Sequence, residues 1–492
     1  MVATVGTLDA VLKVYYDKKV KPSLNNKFMV IGKMRKMTGS WSGKNVTVPV
    51  HVTRNSGRGN TVAGSTMPTA GNQGYVDLLL TAKESVQTIQ ITREAKAAAK
   101  RGDKHSFGSY VALEFNKARD DCTSMANQNA LYGGLTKGLL NEHKANAATT
   151  GNGTVAAPAG GTSVWEWSGV KLSLAAIDGN PFAAATNGTA TVPTTSANWV
   201  RVRLRRMDTY AEITPSAGTS AQSAIFLSFI DSANSQVSLT VVTNNQGAGV
   251  VFTTVGVADG VAIAVESYPN TTQFLDAAAA DFGDSDEGAS GSRATFLTGT
   301  ATVLQQTGIL TNLCSATHFG EDRTTATGQA RLQSHLLTVA QTGNHQRTPL
   351  SKEAIQRALD IVCEDQGFEP DTVVWSPRDR QIAHALLYDQ QRNQNTKKGS
   401  AGYNSFDFGP LVNWIADQHC GRSQFIMMDF QDENDSCWDV WELDPLDLVA
   451  DGKGNTIFPS MAITADQAAL EWRYDMICTI PKRQCVLIGY SL

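Results

Sequence analysis

The chain has 492 residues and a mass of 52.7 kDa, enough for roughly two to four domains. Its 42 Lys+Arg against 46 Asp+Glu leave a formal charge of −4, which excludes a strong overall bias toward nucleic acid or acidic partners. Charged residues make up 18 %, below the roughly 25 % usual for soluble domains, while 41 % hydrophobic residues suffice for a sizeable core and exclude wholesale disorder. A large surface with so few charges fits a chain much of whose surface faces other protein.

The total hides a segregation. Residues 1–120 hold 19 Lys+Arg against 8 Asp+Glu, and the remainder holds 23 against 38. Nine acids and no Lys or Arg lie between Asp429 and Asp451. Seven cysteines, at 122, 314, 363, 420, 437, 478 and 485, contain no CxxC pair, which argues against a disulfide framework or zinc ribbon and fits a reducing compartment. Met1 to Lys13 lacks a basic segment followed by an apolar one, so no signal peptide is expected. No run approaches the roughly 18 apolar residues that span a bilayer, and no membrane partner is expected.

In chain order, Val2 to Asn26 reads as an extended arm around one short helix, ending in Lys18, Lys19 and Lys21. From Lys44 to Thr53, Val46, Val48, Val50 and Val52 alternate with polar residues, so the spacing predicts a strand. Pro49 places it at a sheet edge, because proline donates nothing to a ladder. Arg54 to Gly74, including Arg58, is glycine-rich with almost no apolar payload, and Tyr75 to Ile91 is strand-like again. Two strands joined by about twenty residues make a long hairpin without a core of its own, an arm that needs a neighbour to pack on.

His105 to Tyr132 shows the clearest helical periodicity, with Phe107, Val111, Phe115, Ala118, Cys122 and Met125 on one face and Gly133-Gly134 as the stop. It would run about 40 Å. Ala145 to Thr162 reads as a linker, and from there to about 300 the composition is β-type with polar turns, which predicts an inserted β-sandwich. Beyond 300 the pattern is mixed. Helices are expected over Gln329–Ala340, from a cap at Thr348-Pro349 or Ser351 to Gly367, and from Ser376-Pro377 through Tyr388. Strands are expected at Thr372–Trp375, Leu411–Ile415, Phe425–Phe430, Trp438–Leu443, Ala469–Thr479 and Val486–Tyr490.

Motifs for chemistry are absent. The segment Gly39–Lys44 has the wrong spacing for a phosphate loop, and Gly57-Arg58-Gly59 leads into no helix and lacks the third glycine of a dinucleotide site. Glu142-His143 lacks a second histidine, no G-x-S-x-G elbow occurs, and the acidic clusters at Asp284–Gly288 and Asp432–Asp435 lack the spaced glutamate of a calcium loop. No catalytic residue, metal ligand or cofactor is expected, and the chain is read as a non-enzyme.

The order of elements resembles the tailed-bacteriophage major capsid protein family, with its Hong Kong ninety-seven-type fold. The resemblance rests on Val46-Thr47-Val48-Pro49 leading into the hairpin, Pro68-Thr69-Ala70-Gly71, and Leu131-Tyr132-Gly133-Gly134 at the helix end. It also rests on Phe406-Asp407-Phe408-Gly409-Pro410 before a strand, and on Leu470-Glu471-Trp472-Arg473-Tyr474-Asp475 with Pro481 near the end. It covers roughly residues 1–140 and 300–492, and residues 150–300 lie outside it.

The resemblance implies an α+β fold with an N-terminal arm (1–44), a long β-hairpin E-loop (45–92) and a peripheral domain with the spine helix (93–140). After the inserted β-rich domain (150–300) come an axial domain (300–459) and a returning peripheral strand with the C-terminal tail (460–492). It implies a head protein of the virion capsid, made in the host cytoplasm, that assembles into pentamers and hexamers of an icosahedral shell around double-stranded DNA held non-specifically. Portal, scaffolding and cement or decoration proteins are the implied partners.

Subunit-contact candidates are Lys18, Lys19, Lys21, Val46, Val48, Val50, Val52, Arg54, Arg58, Lys83, Asp432, Glu433 and Asp435. Part of the basic surplus is expected to meet the acidic 429–451 stretch of another subunit. Some family members cross-link a hairpin lysine. Lys83 lies on the returning strand, but no partner or activating acid is evident, so that activity is not carried over. The alternatives are a cellular encapsulating-compartment shell and a surface adhesin or glycan-binding protein.

Overall fold

The computed structural model describes residues 30–38, 43, 45–63, 65–92, 110–141, 154–155, 164–169, 200–207, 209–210, 212, 223–231, 236–243, 252–253, 263–267, 306–325, 332–338, 348–380, 382, 410–411, 413–421, 423–430, 436–449, 458–459, 465–488 and 490–491. Its main elements, in order, are β1 (Arg35–Thr38), β2 (Asn45–Thr53), β3 (Gly74–Thr81), β4 (Lys83–Thr92), α1 (Tyr110–Tyr132), β5 (Thr136–Asn141), β6 (Val164–Gly169), β7 (Val200–Arg206), β8 (Ser223–Asp231), β9 (Gln236–Thr243) and β10 (Ile263–Ser267). There follow α2 (Ile309–Cys314), β11 (His335–Thr338), α3 (Lys352–Gln366), β12 (Thr372–Trp375), β13 (Asn413–Ala416), β14 (Gln424–Met428), β15 (Trp438–Leu448), β16 (Ala465–Cys478) and β17 (Cys485–Ile488). The fold is α+β. Among the described residues no helix is long and apolar enough to cross a membrane.

These residues form two compact units. The first comprises the described parts of Ser85–Ala126 and Asp444–Trp472. Its core gathers Ile89 of β4, Ala118 and Cys122 of α1 and Leu470 of β16, with Phe115, Leu446 and Leu448 packed around them. Phe115, Ala118 and Cys122 are the helical stripe expected from the 3.6-residue period. The 105–109 part of the expected helix lies outside the described residues.

The second unit comprises the described parts of Met29–Glu84, Asn127–Leu443 and Arg473–Leu492. Its centre is a five-stranded mixed sheet in the order β11-β17-β14-β12-β13, parallel at both ends and antiparallel between. β12, β14 and β17 are buried along their whole length, so they read as unbroken apolar runs rather than alternating ones. α3 lays Ile355, Leu359 and Val362 on this sheet against Val373, Phe425, Met427 and Leu487. Ser351 caps it by accepting from the Ala354 N–H at 3.1 Å, and Gly367 ends it at φ 71°, a left-handed position that favours glycine.

Of the helix expected over 329–340, Leu332 is helical, but His335–Thr338 form β11, which pairs in parallel with β17; 329–331 and 339–340 lie outside the described residues. Over these four residues the weak helical stripe yields to strand pairing, because long-range pairing overrides modest local propensity. After Ser376, Arg380 N–H donates to the Ser376 carbonyl at 3.2 Å, which starts the expected turn of helix. Residues 383–388 lie outside the described set.

The β-rich stretch also differs from expectation. Its strands close into one six-stranded barrel, β9-β6-β5-β10-β7-β8, instead of a two-sheet sandwich. The closing strand is β5, ahead of residue 150, which pairs antiparallel with both β6 and β10. Closure leaves no strand edge exposed, whereas a sandwich of the same strands would leave four. β5 also lies against α2, so Leu139 and Leu140 are both fully buried although they point to opposite faces.

Candidate functional site

β2 and β3 form a two-stranded sheet in which Val46 faces Leu80, Val48 faces Leu78 and Val50 faces Val76. One face is anchored: Leu78 and Leu80 are fully buried with Ile477, and Val46, Val48, Val50, Val76, Phe319, Trp441 and Leu443 pack around them. The opposite face carries Pro49, His51, Tyr75, Asp77 and Leu79 in solvent, with the His51 and Tyr75 rings 5.2 Å apart across the strands. Among the described residues β2 pairs only with β3, so its outer edge is open, as Pro49 predicted. The register shifts between His51 and Thr53, where Val52 forms a bulge and the connecting segment begins.

That segment is a two-limbed finger. A Cβ on Gly57 would come within 2.6 Å of the Gly71 nitrogen, and one on Gly71 within 2.3 Å of Ser56 Oγ, so the two limbs touch only because both positions are glycine. The Gly57 N–H donates to Asn55 Oδ1 at 2.7 Å. At the tip, Ser65 N–H donates to the Val62 carbonyl at 2.9 Å, and Ser65 Oγ both accepts from Val62 N–H and donates to its carbonyl. Val62 is 80 % exposed and Met67 87 % exposed. Two large apolar side chains thus sit on a finger that buries nothing of its own.

Two buried polar hubs hold the base. Asp475, 1 % exposed, accepts from Thr307 N–H at 2.6 Å, Thr307 Oγ1 at 3.1 Å and Met476 N–H at 3.0 Å, and lies 3.3 Å from Lys83 Nζ. Lys83 also donates to Thr307 Oγ1 at 2.7 Å. Lys83 and Asp475 line a cavity of about 290 Å³ with Thr311, Ser315 and His318. The hydroxyls of Thr307, Thr311 and Ser315 are engaged in internal hydrogen bonds there.

In the second hub, Arg323 Nη1 donates to the Ser315 carbonyl at 3.0 Å, Nη2 donates to the Asn312 carbonyl, and Nη2 donates to His318 Nδ1 at 2.8 Å. Arginine has no acceptor, so His318 carries its proton on Nε2 and donates it to the Cys478 carbonyl at 2.9 Å. Phe319 and Gly320, at φ 47° and 98°, make the tight turn that follows, and the Phe319 carbonyl accepts Leu79 N–H of β3 at 3.0 Å.

Burial, reinforced by the Arg323 charge, holds the His318 pKa well below the ordinary histidine value. A depressed histidine contributes stability that is complete above its unfolded pKa of 6.5 and is lost as pH falls toward the folded value. His335 is depressed by burial too, so wild type should lose stability between pH 7 and 5 with a slope about one proton steeper than that of His318→Gln, read from urea melts at each pH. Burial pushes Glu266 the other way, up from the usual carboxylate value, and its contribution grows on acidification, so the His318→Gln difference isolates the histidine.

The sequence candidates separate. Val46, Val48 and Val50 are half-buried, with their apolar face packed on Leu78, Leu80 and Ile477 of their own chain. Val52 sits at the bulge, half-buried. Lys83 is held by Asp475 within the chain. Arg54 and Arg58 are exposed along the finger. Lys18, Lys19, Lys21, Asp432, Glu433 and Asp435 lie outside the described residues, as do the acidic residues of 284–288.

The charge complementarity expected between subunits is met in part inside one chain. Arg35 grips Asp439 through Nε at 2.8 Å and Nη2 at 3.0 Å, Lys36 reaches Glu442 at 3.4 Å, and Arg483 lies 3.3 Å from Asp429. β1 pairs with β15 in the register that puts Arg35 directly opposite Asp439, while Lys36, opposite Val440, reaches Glu442 two residues along the strand. Val62 and Met67 escaped the sequence reading. Their only signal is that they are isolated large apolar residues in a run of glycine, serine, threonine and asparagine.

No protein-family model matches the chain, and no curated protein matches it. It is similar over its full length to solved capsid structures. One is the cyanophage A-1(L) capsid asymmetric unit, at 10 % identity and TM-score 0.46, with both chains covered completely. A second is the capsid of a native GTA particle, at 7 % identity and TM-score 0.48, again with both chains covered completely. The satellite phage P4 procapsid matches at 8 % identity and TM-score 0.36 over 94 % of this chain and 95 % of that one. All three scores lie below 0.5.

Among the described residues no group of three or more His, Cys, Asp or Glu is placed to hold a metal ion. The thiols are not poised as nucleophiles either. Burial pushes Cys122 up to about 11 and Cys314 up to about 12, and raises Cys420, Cys478 and Cys485 further. Only Cys363 of the seven is not buried. Titration of the native chain with a disulfide reagent at pH 8 should consume at most one thiol, rising to seven after denaturation.

Proposed function

We propose that this chain is a major capsid protein, which self-assembles through its finger and the open edge of β2 into pentamers and hexamers of an icosahedral shell around double-stranded DNA. One observation carries the proposal: Val62 and Met67 stand at the tip of a two-limbed finger rooted in the core, exposed where a lone protein gains nothing by exposing them. Pro49 and the bulge at Val52 blunt the neighbouring edge enough to limit indiscriminate pairing, while the edge stays open to one specific segment of another copy. Many modest contacts, repeated by symmetry, then sum to a closed shell.

Within this proposal the chain is a structural protein rather than an enzyme, and DNA is met only through backbone-level, salt-sensitive contacts. Portal, scaffolding and cement proteins are its expected companions in the virion. The test is to express the full chain, alone and with its neighbouring genes, concentrate it and image it by negative stain. Regular shells, rings or sheets support the proposal; a monodisperse monomer at high concentration under both conditions overturns it.

A further inference from the structure

Three fully buried polar atoms around α2 have no hydrogen-bond partner among the described residues: Glu266 Oε1, Thr136 Oγ1 and Arg323 Nε. Native interiors leave few such atoms unpaired, and each calls for a physical account. Glu266 on β10 and Thr136 on β5 are directly paired positions, at the point where the register shifts between Val265 and Glu266. Side chains so paired share a face with their Cβ atoms about 4.5–5.5 Å apart, and the bulge opens that spacing. The other Glu266 oxygen, Oε2, is taken by Arg205 Nε at 2.9 Å, and the Thr136 N–H is taken by Thr311 Oγ1 of α2 at 3.0 Å. Cys314 lies within electrostatic reach of both Arg323 and Glu266.

We propose that a single enclosed water molecule bridges Glu266 Oε1 and Thr136 Oγ1 and locks the β5–β10 seam of the barrel where it meets α2. The surrounding charges select a neutral occupant. Arg203, Arg205 and Arg323 exclude a cation, and the Glu266 carboxylate excludes an anion. The water donates to Glu266 Oε1 and accepts from the Thr136 hydroxyl. These are two partners, within the two to four that a buried water needs. Glu212 lies on the outer side, 3.4 Å from Arg203 and 3.7 Å from Arg205, and leaves the inner carboxylate oxygen to the water.

The sign of one substitution decides the matter, measured by urea unfolding of the full chain. Thr136→Val keeps the side-chain shape and deletes the hydroxyl. If the hydroxyl is bridged, the variant raises the unfolding equilibrium constant about ten-fold, as the loss of one buried hydrogen bond does, and Thr136→Ser has a much smaller effect. Combined with Glu266→Gln, the two effects are less than additive. A Thr136→Val chain as stable as wild type, or more stable, overturns the proposal, because deleting an unpaired buried hydroxyl relieves a cost. Should the variant not fold, a high-resolution experimental structure of the wild type decides. Solvent density about 2.8 Å from both oxygens supports the bridge, and a direct Glu266–Thr136 contact or an apolar gap overturns it.

Discussion

Replacing Val62 and Met67 together by aspartate should abolish assembly and leave the isolated chain as stable as wild type. Both side chains are more than three-quarters exposed, so the folded monomer loses almost no burial, and surface changes of this kind stay within about 0.5 kcal/mol. In an assembly that seats the tip on a neighbour, burying each side chain contributes about 1.5–3 kcal/mol, and an aspartate in its place adds the desolvation of a charge. A loss of about 4 kcal/mol per contact lowers the association constant roughly a thousand-fold. Light scattering during concentration reads the assembly, and a thermal melt of the same sample reads the fold. Shells formed by the double variant at wild-type concentrations would remove the finger tip from the interface, whereas a lowered melt would show the tip to be part of the monomer's own core.

What was legible in the sequence is what local physics decides. The capped helix from Lys352 to Gln366 was readable because serine, the apolar triplet at 355, 359 and 362, and the terminal glycine all agree. The edge strand was readable because Pro49, in an outward slot of a regular alternation, has no N–H to give a second neighbouring strand. The barrel was not: its closure depends on β5 finding both β6 and β10, and a six-residue strand containing Lys137 and Gly138 announces neither partner. β11 was mistaken for helix for the same reason, since its neighbour β17 lies some 150 residues away and outweighs the local period.

At the candidate site the hairpin was visible, but its inward and outward faces were not. Alternation says that one face is buried and does not say against whom: Val46, Val48 and Val50 pack on Leu78, Leu80 and Ile477 of their own chain. The same holds for the acidic 429–451 stretch. Charge runs show surplus without address, and the bidentate Arg35–Asp439 pair joins residues 404 positions apart.

Asp475→Ala should be the most destabilising single substitution at the finger's root, by about 3–5 kcal/mol in urea melts, the usual cost of removing one member of a buried charge pair. The carboxylate serves two backbone N–H groups, one hydroxyl and one ammonium, and alanine deprives all four donors of their acceptor. Asp475→Asn separates shape from charge. Its amide oxygen still accepts from Thr307 and Met476, so the loss should be smaller, about 1–3 kcal/mol, and most of it should come from Lys83 losing its counter-charge. Adding Lys83→Met to Asp475→Asn should then recover stability, because a half-buried ammonium without a partner is replaced by an apolar chain of similar length. If the double variant is no better than Asp475→Asn alone, Lys83 is solvated independently and the hub reduces to hydrogen bonds at Thr307. Recovery in the double variant together with normal assembly would further show that Lys83 positions the hairpin from within and is not itself the group that meets a neighbour.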